Sequence, residues 1–227
     1  GLNVTIPYKK AVMPLLDEIS PEAAAIGSVN TIVNRGGRLT GYNTDAFGFT
    51  WLLQKSGVTV KGKKALIFGS GGASVTVQYV LRSLGASPVV VISRTGVNNY
   101  ENLDKHRDAK ILVNATPVGM YPGNGESPVD LSIFDAVDSV LDVVYNPART
   151  ALMLQAEALS IPHASGLSML VAQAKKACEY FTGNQVADAQ IDRIEKLLSN
   201  QMENIVLIGM PGCGKSSIGR ALAETLG

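Results

Sequence analysis

Two glycine-rich stretches carry residues suited to holding phosphates: Gly69-Ser70-Gly71-Gly72-Ala73, and Gly209-Met210-Pro211-Gly212-Cys213-Gly214-Lys215-Ser216. A backbone without side chains lets its N–H groups approach phosphate oxygens closely, and a following helix turns its positive end toward them. The first stretch departs from G-x-G-x-x-G at its third glycine, where Ser74 stands, so alone it also fits a plain strand-to-helix turn. The second matches G-x-x-x-x-G-K-[ST] throughout. Its amides would cradle ATP phosphates, Lys215 would reach the β and γ oxygens, and Ser216 would hold Mg²⁺.

The residues after the first stretch bear on which dinucleotide it would take. The next apolar run ends Ile92-Ser93-Arg94-Thr95. An unphosphorylated ribose is usually held there by an acid, whereas a 2′-phosphate calls for an arginine. Arg94 offers a planar fork and Thr95 a hydroxyl, with no carboxylate to repel the phosphate, which favours NADP over NAD. Lys9 and Asp45 have the types for acid–base work: a carbonyl reduced by hydride gains negative charge on oxygen, and a lysine beside a carboxylate can protonate it. Their spacing does not reveal a pair. Taken singly they read as a solvated lysine and a helix-dipole partner.

These residues need elements to position them. A strand is expected over residues 2–6, Pro7 suits the first turn of a helix, and Ser20-Pro21-Glu22 suits a capped helix start. Short strands follow at Val29–Val33 and Arg38–Tyr42 around the Gly36-Gly37 turn. Thr44 then caps a helix with an apolar stripe of Phe47, Trp51 and Leu52, ending near Gly57. From Lys64 onward, strands at 65–68, 89–93, 111–114, 140–144 and 161–163 alternate with helical segments, among them 75–84. That is the signature of a parallel sheet covered on both faces, hence a Rossmann-like domain. Helical patterns at 167–181 and 184–200 follow and would return to the N-terminal part. An apolar run at 205–208 would be the strand before the second glycine stretch.

The 227 residues, 46% hydrophobic with a formal net charge of +1, suit an α/β chain of more than one domain and offer no broad basic field for nucleic acid. Small molecules are the expected partners. No apolar run approaches the roughly 18 residues of a membrane span, and Cys178 and Cys213 lack metal-ligand spacing, which suits the cytoplasm. The chain opens at Gly1 inside a strand-like run and stops at Gly227 one helix beyond the second loop. The P-loop part therefore reads as an opening fragment, fused in a parent chain to a kinase domain. The expected division is 1–46 for the remainder of a substrate domain, 47–63 for a connecting helix and linker, 64–165 for the Rossmann-like domain, 166–200 for the returning helices, and 201–227 for the P-loop start.

Several motifs in one order resemble shikimate dehydrogenase: residues 1–9 (Gly-Leu-Asn-Val-Thr-Ile-Pro-Tyr-Lys), Gly27-Ser28-Val29-Asn30-Thr31, Asn43-Thr44-Asp45, the first glycine loop, and Asn114 to Met120. Asp142-Val143-Val144-Tyr145-Asn146-Pro147, Gly166 to Leu170, and Gln173-Ala174 continue it to about residue 185. Gly209 to Arg220 is similar to the start of shikimate kinase. The resemblance implies NADPH-dependent, reversible reduction of 3-dehydroshikimate to shikimate in aromatic amino acid biosynthesis. It places Lys9 on the family's catalytic lysine and Asp45 on the partner carboxylate. Thr5, Asn30, Tyr145 and Gln173 fall on substrate-binding positions, Arg94 and Thr95 on the clamp for the adenosine phosphate, and Val143 and Gly166 on the nicotinamide side. Ser93 stands where asparagine is usual, Asn98 where a second basic residue is frequent, and Ser168 where glycine is common, so some NAD use is compatible. The resemblance also implies a substrate-gripping strand–helix segment ahead of Gly1. An NAD-using quinate/shikimate dehydrogenase and a catalytically silent nucleotide-binding homologue are the alternatives, the latter opposed by retention of Lys9 and Asp45.

Overall fold

The structure, a computed structural model, describes residues 1–202 and 206–226. Strands β1 (Leu2–Asn3), β2 (Glu18–Ile19), β3 (Thr31–Arg35) and β4 (Arg38–Tyr42) form a first sheet in the order β1-β3-β4-β2. β3 and β4 are an antiparallel hairpin turned by Gly36 and Gly37 at φ 60° and 90°, a region that favours glycine. The strand expected over residues 2–6 contracts to Leu2–Asn3, although the Val4 N–H still donates to the Asn30 carbonyl. The segment after Pro7 runs through turns to a 3-10 turn at Met13–Leu15, not a regular helix.

Helix α1 (Pro21–Ile26) starts as its sequence dictates, with the Ser20 Oγ accepting from the Ala23 N–H and Pro21 in the first turn. Helix α2 (Thr44–Ser56) is capped by Asn43, one residue before the expected Thr44. The Asn43 carboxamide accepts from the Ala46 N–H while its Nδ2 donates to the Ser28 carbonyl and the Thr76 hydroxyl. A hydroxyl has one proton to give and could not serve both acceptors.

The second sheet contains β5 (Ala65–Phe68), β6 (Val89–Ile92), β7 (Ile111–Asn114), β8 (Ser139–Asp142) and β9 (His163–Ala164). All pairs are parallel, in the order β6-β5-β7-β8-β9. β5, β7 and β8 are buried at every position, and their side chains alternate between two apolar layers, as a sheet covered on both faces requires. Ile67, Val113 and Leu141 meet α2 and α3 (Gly72–Ser83), and Leu66, Leu112 and Val140 meet α4 (Ala151–Ala158). The chain leaves β5 toward β6 on one side and later reaches β7 on the other. This switch point opens a crevice at the strands' carboxyl ends.

Helices α5 (Leu167–Thr182) and α6 (Ala189–Met202) follow; α6 starts five residues later than the pattern suggests, after a turn in which Glu179 Oε1 accepts from the Val186 N–H. α5 packs along α2 and against β3. Helix α7 (Lys215–Leu226) ends the described chain. Of the strand expected at 205–208, Ile205 lies outside the described residues, and 206–208 have no regular structure, with Val206 and Ile208 largely exposed.

The α2–α5 contact depends on Gly48, where an added Cβ would lie 2.6 Å from the Met169 carbonyl oxygen. Gly48→Ala should lower the unfolding free energy by about 1–3 kcal/mol in urea titrations, the usual cost of overpacking. An unchanged midpoint would show that this glycine does not set the helix spacing.

Candidate active site

Lys9 and Asp45 meet: the lysine Nζ is 2.6 Å from Asp45 Oδ2, with both side chains largely shielded from solvent. Asp45 lies in the first turn of α2, where the helix's positive end favours a carboxylate. Its other oxygen accepts from Asn30 Nδ2 at 2.9 Å. Asn30 is saturated in turn: Nδ2 also donates to Thr44 Oγ1, and Oδ1 accepts from the Thr44 N–H and the Thr31 hydroxyl. The Lys9 carbonyl accepts from the Val29 N–H, which ties the irregular segment carrying the lysine to the residue entering β3. Gln173 reaches the same knot from α5, its Oε1 3.3 Å from Thr44 Oγ1.

Two cavities meet beside this pair. The first, about 420 Å³, is lined by Thr5, Lys9, Asn30, Asp45, Tyr145 and Gln173, together with Asn3, Val4, Ile6, Ala73, Val143, Gly166, Met169 and Leu170. The second, about 620 Å³, is floored by Gly69 to Ala73 and walled by Ser93, Arg94, Tyr100, the 115–118 segment, Ser127, Pro128 and Ile6. Ile6 and Ala73 belong to both. The lysine stem runs along the start of α3, and a Cβ at Gly72 would stand 3.3 Å from Lys9 Cδ. Gly69, at φ 103°, has Thr116 Cγ2 2.8 Å from where its Cβ would be, so a side chain there would fill the cavity floor.

A second polar cluster lies at the carboxyl ends of β7 and β8. Asp142 is fully buried, and its carboxylate accepts from Asn114 Nδ2 at 2.9 Å, the Val144 N–H at 3.0 Å and the Thr150 hydroxyl at 2.7 Å. Burial pushes its pKa up from 3.8 to about 6, against the opposing pull of these three donors.

The residues expected to hold a substrate, Thr5, Asn30, Tyr145 and Gln173, all line the first cavity with Lys9 and Asp45. Those expected to hold a dinucleotide line the second, except Thr95, which is exposed and outside the lining. Val143 and Gly166, expected on the nicotinamide side, line the first. Sequence reasoning missed Ile6, shared by both cavities, and Tyr100, whose ring stacks on Phe68 at the far wall. Ile6 lies inside a run that reads as strand. Tyr100 lies beyond the Ser93–Arg94 signal, where no spacing rule reaches. The second glycine loop is separate from both cavities: Gly212 and Gly214 take positive φ, and Lys215 Nζ donates to the Gly209 and Met210 carbonyls at 2.7 Å each. Ser216 follows in α7. Among the described residues no group of acidic, histidine or cysteine side chains could hold a metal ion, and no helix is long and apolar enough to cross a membrane.

A glycine-floored crevice at the switch point of a parallel sheet, opening onto a second pocket with a lysine–carboxylate pair, has the form of a dinucleotide-binding α/β enzyme. Comparison with known proteins narrows this. Residues 1–32 match the profile of the shikimate dehydrogenase substrate binding domain. A shikimate dehydrogenase (NADP(+)) of Syntrophomonas wolfei is 36% identical over 91% of this chain and 78% of its own length. The crystal structure of a chorismate mutase/shikimate 5-dehydrogenase fusion protein from Clostridium acetobutylicum superposes with a TM-score of 0.85 at 34% identity, covering 89% of this chain and 78% of that one. The Thermus thermophilus shikimate 5-dehydrogenase, solved in complex with NADP(H) and shikimate, gives 0.76 at 36% identity, covering 86% and 77%. The chain belongs to the shikimate dehydrogenase family and is an oxidoreductase.

The raised Asp142 carboxyl has a consequence for stability. The unfolded chain releases this proton near 3.8 and the folded chain near 6, so the group's contribution is fully present below pH 4 and lost as pH rises through 6. The stability of the wild type relative to Asp142→Asn should therefore fall by about 2–3 kcal/mol between pH 4 and 7. Denaturant titrations across that range that show no fall, or a rise, would mean that burial does not dominate this carboxyl.

Proposed function

We propose that this protein catalyses the reversible, NADPH-dependent reduction of 3-dehydroshikimate to shikimate, with Lys9 as proton donor and Asp45 as the carboxylate that orients it. The observation carrying this reading is the 2.6 Å Lys9–Asp45 contact at the junction of the two cavities. A proton donor there can serve a carbonyl in the smaller cavity while remaining beside the glycine loop. The named activities of the relatives point the same way.

The larger cavity fits a dinucleotide. Its floor is a glycine loop whose Gly69 leaves no room for a side chain, and α3 begins at Gly72 with its first-turn amides free for a pyrophosphate. Arg94 lines the wall beside Ser93, with no acid among the lining residues, which suits a 2′-phosphate. When bound, the cofactor supplies the hydride. The protein's own residues do the rest: Thr5, Tyr145 and Gln173 offer hydroxyl and carboxamide groups to a polyol acid, Asn30, its carboxamide fully engaged, forms the wall beside them, and Lys9 Nζ delivers a proton to the carbonyl oxygen as its charge develops. Asp45 Oδ2 keeps the ammonium aimed, and Asn30 keeps Asp45 from turning. Apolar Ile6, Val143, Met169 and Leu170 limit water around the pair.

NAD-dependent oxidation of quinate or shikimate is the rival reading, favoured by Ser93 and by Asn98, a neutral residue whose Oδ1 is already engaged by the His106 ring. We infer separately that Gly209 to Ser216 is a phosphate-binding loop of kinase type, with ATP and Mg²⁺ as its ligands and a shikimate kinase as its parent. Supporting this is Lys215, held over the loop by two carbonyls at the start of α7.

Shikimate should reduce NADP⁺, and NAD⁺ or quinate should serve as poorer partners. Lys9→Ala should lower kcat by about 10²–10⁴-fold while leaving NADP⁺ binding intact. Full activity in that variant would remove Lys9 from the mechanism. Arg94→Gln should raise the KM for NADP⁺ about tenfold, the loss of roughly one charge-assisted hydrogen bond, and leave that for NAD⁺ unchanged. Equal effects on both would assign Arg94 to general binding. For the second loop, calorimetry with Mg-ATP on wild type and Lys215→Ala is decisive: no heat in the wild type sinks the reading.

A further inference from the structure

Asp142 touches neither cavity, yet it stands at the root of the two loops that line them. On its β7 side, Asn114 precedes Ala115, Thr116, Pro117 and Val118, which wall the larger cavity. On its own side, Val143 and Tyr145 line the smaller one. We propose that Asp142 is a positioning residue: its buried carboxylate clasps the 115–120 loop to the 143–149 loop and so holds the two cavities in register.

The bonding is one-directional. Asn114 Nδ2, the Val144 N–H and the Thr150 hydroxyl all donate, and the carboxylate accepts from all three. Thr150 can only donate to the ionised carboxylate, which has no proton to give, while its oxygen accepts from the Met153 N–H as the cap of α4. Asn114 is also fixed. Its Oδ1 accepts from the Thr116 N–H at 3.0 Å and the Thr116 hydroxyl at 2.6 Å, and its Nδ2 also donates to the Val118 carbonyl at 3.2 Å. Thr116 Oγ1 in turn accepts from the Val118 N–H. The orientation of each group fixes the next, from the cap of α4 through Asp142 to the wall of the larger cavity.

The geometry around the clasp shows why small displacements there would matter. The 143–149 loop is pinned at both ends by one carboxylate, through Val144 and Thr150. A Cβ at Gly119, in the other loop, would stand 3.5 Å from Thr150 Cβ, and the Tyr121 N–H donates to the Asn146 carbonyl at 3.0 Å. Val143, next to Asp142, presents its carbonyl so closely to Gly166 that a Cβ there would be 2.2 Å away. Burying a carboxylate is costly unless every oxygen is well bonded, and an apolar residue at this strand end would avoid that cost. An apolar residue would also leave three buried donors unpaired and the two loops joined by little more than one backbone bond.

This inference rests on the proposed dehydrogenase reading for its kinetic readout but not for its structural one. The test compares wild type with Asp142→Asn, Thr150→Val and Thr150→Ser at pH 8. It measures kcat, KM for shikimate and for NADP⁺, thermal midpoints, and backbone hydrogen exchange over residues 115–120 and 143–149. Asp142→Asn keeps the shape but brings a donor to a site with three donors. The clasp predicts faster exchange in both loops for Asp142→Asn and Thr150→Val. It also predicts a fall in kcat/KM of about 10²-fold, the scale expected for slight misplacement of reacting groups, and recovery to within about threefold in Thr150→Ser. Lower thermal midpoints with unchanged kcat and KM would reduce Asp142 to a merely structural part and overturn the proposal, as would faster exchange confined to one loop. A wild type inactive toward shikimate would sink the proposed reaction alone, and the paired loosening of both loops would still sustain the clasp.

Discussion

The contact between Lys9 and Asp45 sets the terms for the rest of the molecule. Two opposite charges largely removed from water are tolerable only if paired closely and if their remaining bonding capacity is used. The first is met at 2.6 Å, and for the carboxylate the second is met by Asn30, with each partner from a separate element: the lysine from the irregular segment after β1, Asn30 from the entrance to β3, and the carboxylate from the first turn of α2. None of these comes together unless the small sheet is folded. The knot also reaches the large sheet, because Asn43, which caps α2, donates to Thr76 on α3. The start of α2, with Asn43 on one side and Asp45 on the other, thus ties the layer that carries the ion pair to the helix that follows the glycine loop.

Close backbone approaches do for the helices what the polar knot does for the layers. Gly48 lets α2 and α5 lie in contact through the Met169 carbonyl, and Gly166 brings the start of α5 against the Val143 carbonyl at the end of β8. α5 is therefore held from both sides, and Met169, Leu170 and Gln173 project from its first two turns into the smaller cavity. A glycine at each of these two points is a condition for the pocket's shape.

Much of the fold was legible because it is periodic. The buried runs of β5 and β7 and the Ser20-Pro21 start of α1 follow from apolar pattern and cap chemistry alone. What was not legible depended on partners distant in the chain. Thr44 and Asn43 are both good caps, and only the acceptors on Ser28 and Thr76 decide for Asn43. The Lys9–Asp45 pair lies beyond any helical or strand spacing, so residue types alone could not join them, and the family resemblance supplied what periodicity lacks. Residues 2–6 read as a strand by composition, yet β1 is only Leu2–Asn3, and Ile6 is left to separate the two cavities. The strand expected at 140–144 ends at Asp142, whose role was not legible because its three donors come from β7, from its own loop and from the cap of α4.

The two lysines singled out by chemistry illustrate how surroundings decide what a residue type can do. Lys9 is held by a carboxylate, a full opposite charge that fixes where its ammonium points. Lys215 is held by two backbone carbonyls, neutral groups that offer partial charge only. A carboxylate at that second position would compete with a phosphate for the ammonium and repel it. Carbonyls are weaker acceptors than charged oxygens, so an anion placed there could displace them, the ammonium then donating to the anion. The same ammonium group, on one chain, is thus paired with a full charge beside the smaller cavity and with partial charges alone in the second glycine loop.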